Sequence, residues 1–185
     1  MKNQKVRLLT YMAFYAALYV VLKWVGDLLP FLQMPQGGSV QTELIALFIA
    51  SYHLGWDKGI LVALLCWLLT FIMGSGRWFV NIMQYALDYF IPLIVVGAAS
   101  IYWQKGKYNV YVCITIAMLL RFMSNVLSGV YYWPPEEAAA GSLPAWIYSL
   151  SYNSGYSIAT YIVCILIVPV LINALKKTSV EFKVK

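Results

Sequence analysis

Asp88 is the residue on which any chemistry in this chain must turn. It lies well inside FVNIMQYALDYFIPLIVVGAA, residues 79–99, a stretch apolar enough to cross a bilayer. Burying a charge without a partner is expensive, so an ionisable side chain at that depth points to a function. At helical spacing Asn81, Gln84, Tyr85, Asp88 and Pro92 share one side, with Asn81, Tyr85, Asp88 and Pro92 nearly in line. The opposite side is Ile, Leu, Val and Phe. Asn125 and Asn153 sit at comparable depth in two other apolar runs, and Trp78, Tyr85, Tyr89, Tyr132, Trp133, Trp146, Tyr148 and Tyr152 stand around them. A carboxylate ringed by aromatic faces and amides can hold a small aromatic or cationic organic molecule. Plainer readings stay open beside that one. Trp103 and Trp146 fit an interfacial belt, the serines and asparagines can join helices, and Asp88 can be neutralised by Arg121 as a structural pair.

No catalytic pattern accompanies the carboxylate. There is no nucleophile beside a base, and Glu136 and Glu137 are adjacent in a loop and point different ways. No Gly-rich phosphate loop is present, hence no ATP site. His53 is the single histidine and has no second ligand type near it, so no metal or cofactor is expected. Cys66, Cys113 and Cys164 lie inside apolar runs without a CxxC pair and read as small packing residues. A binding component that takes its energy from another protein fits better than an enzyme or a self-contained pump.

The elements that position these residues are membrane helices. The chain of 185 residues is 62% hydrophobic and only 11% charged, against roughly 25% charged in a soluble domain. So few charges cannot cover a soluble surface, and a single integral-membrane domain over residues 1–185 is expected. The formal charge of +6 does not signal nucleic acid, because the basic residues punctuate the gaps between apolar runs. The N-terminal basic residues Lys2, Lys5 and Arg7 precede an apolar run of about twenty residues without a small-x-small cleavage signal, so this is the first span rather than a signal peptide.

Six spans are expected: Leu8 to Phe31, Thr42 to His53, a third ending about Met73, a fourth from Phe79 to about Trp103, Tyr111 to Tyr132, and Ile147 to about Leu175. The second is short enough to be tilted or partly buried. Ala13 and Ala17 form a small-xxx-small pair on the first span that lets another helix approach, in the bundle or outside it. Lys23 and Asp27, also on the first span, stand where they can pair. Six spans put both termini on one side with Lys2, Lys5, Arg7, Lys58, Lys105, Lys107, Lys176, Lys177, Lys183 and Lys185, leaving Arg77 for the other. That asymmetry places both termini in the cytoplasm. The fold class expected is an all-α, multi-pass membrane protein of six transmembrane helices with both termini cytoplasmic.

Four segments carry a family resemblance: MPQGGS at 34–39, LDYFIP at 87–92, LLRFMSNVLSGVYYW at 119–133 and PAWIYSLSYN at 144–153. They resemble the thiamine-specific substrate-binding subunits of energy-coupling factor (ECF) transporters, over nearly the whole chain. The resemblance implies six membrane helices, a thiamine site near the outer face, and as partners a transmembrane coupling subunit and two ATPase subunits. It implies that Asp88 holds the aminopyrimidine with Tyr89 beside it, that Trp133 stacks on the ligand, and that Tyr148 and Asn153 contribute from the last helix. Trp78 matches a side chain lining the pocket. Met34, Pro35, Gln36, Gly37, Gly38 and Ser39 match the segment covering the site, and Ala13 with Ala17 matches the contact to the coupling subunit. Where the family has a histidine this chain has Asn125, which donates and accepts but does not titrate. The acid is Asp rather than Glu, a shorter reach. A related pyrimidine or thiazole compound remains an alternative ligand.

Overall fold

The protein is described here by a computed structural model covering residues 2–34, 38–74, 79–102 and 109–178. Among the described residues it is a bundle of helices: α1 (Lys2–Asp27), α2 (Leu44–Leu54), α3 (Trp56–Ile72), α4 (Ile82–Gly97), α5 (Asn109–Tyr132) and α6 (Leu143–Lys176). Three of these are long and apolar enough to cross a membrane: Gln4–Asp27 within α1, then α5 and α6. At 1.5 Å per residue α6 extends roughly 50 Å, well beyond a hydrocarbon core of about 30 Å. The tryptophan at 103 and the lysines at 105, 107, 183 and 185 lie outside the described residues.

α2 occupies the centre. Every residue from Leu44 to Leu54 is buried, which is the fate of a short helix that is hydrophobic all round. α1, α3, α4 and α6 pack around it. The second expected span is therefore an internal strut. Its few polar groups find partners inside the bundle: Ser51 Oγ donates to Ser100 Oγ at 3.1 Å, and Tyr15 Oη meets His53 Nδ1 at 2.8 Å. α2 and α3 are joined through Gly55 alone, at φ 88°, a left-handed conformation that a side chain would resist. The three cysteines are free and buried, and the expected pair on α1, Lys23 with Asp27, is made at 3.1 Å.

α4 departs from the regular helix expected of it. Asn81 is not in the helix but caps it, its side chain accepting from Gln84 N at 2.9 Å. Residues Ala86–Phe90 form a π-helical turn, with Ile91 N bonded to Ala86 O. Pro92 has no N–H to give in either register. In the wider register that leaves the Leu87 carbonyl without an amide, and the Ser124 hydroxyl of α5 donates to it at 2.7 Å. The extra residue in the turn breaks the line from Asn81 through Tyr85 to Pro92 that straight helical spacing implies.

α6 starts at Leu143, four residues before the expected boundary. Ser142 caps it by accepting from Ala145 N, with Pro144 in the first turn. Ser followed closely by Pro is a helix start signal, outweighed in the sequence by the Pro- and Gly-rich residues before it.

Candidate functional site

α4, α5 and α6 enclose a cavity of about 730 Å³ beneath the loop that joins α1 to α2. α5 contributes Arg121, Asn125 and Gly129, each four residues from the last and so on one face, and Trp133 follows just past its end, its backbone N–H donating to Gly129 O at 3.1 Å. α6 contributes Tyr148, Ser149, Tyr152, Asn153 and Tyr156 by the same spacing, and α4 contributes Asp88 and Tyr89. Gly38, Ser39 and Gln41 come from the loop, and Pro134 follows α5.

The loop is fastened to the wall it covers. Gln33 and Ser39 form an antiparallel bridge, and Val40 N donates to Leu32 O at 2.8 Å. Gly38 N donates to Tyr152 Oη at 3.1 Å, and Gln41 N to Thr160 Oγ1 at 3.1 Å. A Cβ on Gly38 would come within 2.6 Å of the Tyr156 ring, so the backbone approaches as only glycine allows.

Asp88 is held from its own helix. Gln84, fully buried, donates through Nε2 to Asp88 Oδ2, while its Oε1 accepts from Val80 N at 3.0 Å. With its oxygen committed, the amide presents only its NH₂ group, so Asp88 is addressed as an acceptor. Ser128 and Trp133 lie beside the carboxylate. The proposed pairing of Asp88 with Arg121 is not found among the described residues. Arg121 Nη2 donates instead to Gln41 Oε1 at 2.5 Å, a residue eighty positions away. A second network runs across the floor: Asn125 Nδ2 donates to Tyr156 Oη at 3.3 Å, Tyr156 donates to Asn153 Oδ1, and Asn153 Nδ2 donates to Ser149 O at 2.9 Å. Tyr148 and Tyr152 are stacked with ring centroids 6.2 Å apart.

Of the residues singled out in the sequence, Asp88, Tyr89, Trp133, Tyr148, Asn153, Asn125, Gly38 and Ser39 meet at this cavity. Tyr85 does not line it. Its hydroxyl accepts from Trp67 Nε1 at 3.0 Å, and its ring packs on Phe71, Phe79 and Tyr89. Met34 lies against α6 at Gly155 rather than in the lining. Trp78, Pro35, Gln36 and Gly37 lie outside the described residues. Ala13 and Ala17 do not line the cavity and are exposed on α1, while Ala16 faces inward. Sequence reasoning placed Tyr152 among the rings around the carboxylate, where it lines the cavity, but missed Gln41, Ser149 and Tyr156 as lining and weighed Arg121 only as a partner for Asp88. The i, i+4 spacing from Tyr148 and Asn153 could have found the α6 residues. Nothing local marks Gln41.

The profile of the family described as Thiamine transporter protein (Thia_YuaJ) matches residues 9–180. The chain belongs to that family. Thiamine transporter ThiT of Bacillus subtilis (strain 168) is 32% identical over 181 residues, covering 91% of this chain and 91% of that protein. The solved structure of ThiT from Listeria monocytogenes shares the fold, with a TM-score of 0.67 at 17% identity over 96% of this chain and 97% of that one. The resemblance seen in the four sequence segments is thus borne out. Membership makes this a multi-pass membrane protein and a transport component rather than an enzyme. It acts as the substrate-binding component of an ECF-type importer for a vitamin-like small molecule, alongside membrane coupling and ATPase subunits.

Proposed function

We propose that this chain captures thiamine at the outer face of a bacterial plasma membrane and delivers it through an ECF module. The observation that carries the reading is Asp88, fixed as an acceptor by Gln84 in a wall that also holds Trp133, Tyr148 and Tyr152. Thiamine joins a flat aminopyrimidine, whose amino group is a donor, to a permanently cationic thiazolium. A carboxylate and aromatic faces suit both halves. The names of the relatives support the same ligand.

In this reading Asp88 and Tyr89 take the aminopyrimidine, Trp133 stacks on the ligand, and Tyr148, Asn153 and Asn125 complete the wall. The 34–39 segment covers the ligand. All six helices belong to the membrane domain, with both termini cytoplasmic, as the lysine asymmetry supports. The coupling subunit, which works with two ATPase subunits, docks on α1 at Ala13 and Ala17, whose exposure leaves room for a close helix.

Purification under native conditions followed by mass spectrometry of the co-purified small molecule tests the ligand. Thiamine is the expected mass. A free pyrimidine or thiazole would replace it as the substrate, and a protein that binds none of the three in isothermal titration would overturn the reading. For topology, single cysteines placed in a background without the native three should label from outside near Gly37 and Ala139 and not near Gly106.

A further inference from the structure

Two buried polar atoms in the cavity wall have no hydrogen-bond partner among the described residues: Arg121 Nη1 and Asn125 Oδ1. Their residues stand four apart on α5, so the side chains leave the same face one turn from each other. Arg121 is 2% exposed and Asn125 7%, and both line the cavity. In each, the other half of the group is already committed. Arg121 Nη2 is spent on Gln41 and Asn125 Nδ2 on Tyr156.

The direction of the Asn125 amide follows from the network behind it. Asn153 Nδ2 donates to Ser149 O at 2.9 Å and to Ser149 Oγ at 3.2 Å, and Ser149 Oγ gives its own proton to Val126 O at 2.8 Å. Asn153 Oδ1 is therefore the acceptor end, and the Tyr156 hydroxyl gives its one proton to it. The phenol oxygen can then only accept, which it does from Asn125 Nδ2. Turning the Asn125 amide over would set an oxygen against an oxygen. Asn125 consequently presents an acceptor, and Arg121, which has no acceptor at all, presents a donor.

A donor and an acceptor side by side match a group that accepts and donates through one atom. We propose that Arg121 and Asn125 form a hydroxyl-recognition subsite, in which Nη1 donates to the terminal hydroxyl of the ligand and Oδ1 receives its proton. The inference rests on thiamine as the ligand, whose thiazolium carries a hydroxyethyl arm. From Ser128, beside the Asp88 carboxylate, to Arg121 is seven residues, roughly 10 Å along α5. Asn125 lies between them, three residues from Ser128, so the carboxylate and the subsite fall at successive levels of one α5 face, in the order in which the two ends of a two-ring molecule would meet them. An ether in place of the hydroxyl has no proton for Asn125, and a plain ethyl arm serves neither residue.

Isothermal titration of the purified full chain with thiamine, its deoxy analogue (ethyl arm) and its O-methyl ether decides the matter. The unmodified protein should bind thiamine about ten- to a hundredfold more tightly than either analogue, the usual result when a buried partner is left unpaired. In Asn125→Leu the gap to the ether should shrink to about threefold or less. Equal affinity for the three ligands in the unmodified protein overturns the subsite and leaves thiamine as the substrate; a water filling the same place would give that result. A gap that persists in Asn125→Leu overturns it too, since the arm is then read elsewhere or only by size. Absence of thiamine binding overturns both readings. The ligand series on the unmodified protein stands even where Asn125→Leu fails to fold.

Discussion

α1 and α5 are both long apolar helices, yet they use their surfaces in opposite ways. In its most apolar window α1 has 17% of its residues buried against 50% in α5. α1 turns Leu9, Phe14, Val21 and Trp24 outward together with Ala13 and Ala17. α5 turns Arg121, Ser124, Asn125 and Ser128 inward. Inside a membrane protein an inward polar group must be answered by another polar group, so α5 and the α6 stripe facing it specify a ligand chemistry. An outward apolar face with small residues is satisfied by lipid and equally by another helix, so α1 specifies how closely a partner can come. On the function proposed above, capture and docking fall on different helices, and damage to one should leave the other intact.

The largest effect expected from that division is at Ala17. Ala17→Trp should abolish co-purification of the coupling subunit and vitamin uptake in cells, while the solubilised variant binds thiamine as the unmodified protein does. Loss of binding as well would mean that the two regions are one mechanical unit. Next comes Asp88→Asn, which removes charge without making a cavity and leaves Gln84 an oxygen to donate to. Thiamine affinity should fall by roughly 1.5–3 kcal/mol, about ten- to a hundredfold or somewhat more, with ligand-free melting unchanged. A drop in ligand-free melting would show a structural role for the carboxylate instead.

A smaller loss is expected at Trp133. Trp133→Ala should weaken binding by about 1–2 kcal/mol, and Trp133→Phe by less, because a flat face remains for the cation. Equal losses in the two variants would mean that the indole N–H, not the ring, makes the contact. The smallest change is Ser124→Ala. It strands the Leu87 carbonyl left open by Pro92, and should cost roughly 0.5–1.5 kcal/mol in thermal or denaturant unfolding. Uptake by the assembled transporter should be nearly unaffected, since Ser124 is buried and does not line the cavity.

Much of this was legible in the sequence, because it depends on neighbours along the chain. Low charge and long apolar runs determine a membrane bundle. Spacing by four puts Asn125 and Gly129 on one face of α5 with Trp133 just past its end, and a carboxylate deep inside the fourth apolar run marks Asp88. Four short segments sufficed for the family. What tertiary structure decided was the pairing of each buried polar atom, since partners are chosen by three-dimensional proximity. Gln41 reaches Arg121 from eighty residues away, and so Asp88 and Arg121, opposite in charge and both within spans, are not a pair. The same cause turned Tyr85 from the cavity to Trp67, through a π turn that helical periodicity cannot express. It also buried α2 on every side: a short, largely apolar helix reads alike whether lipid or protein surrounds it, and only the packing of the other helices tells which.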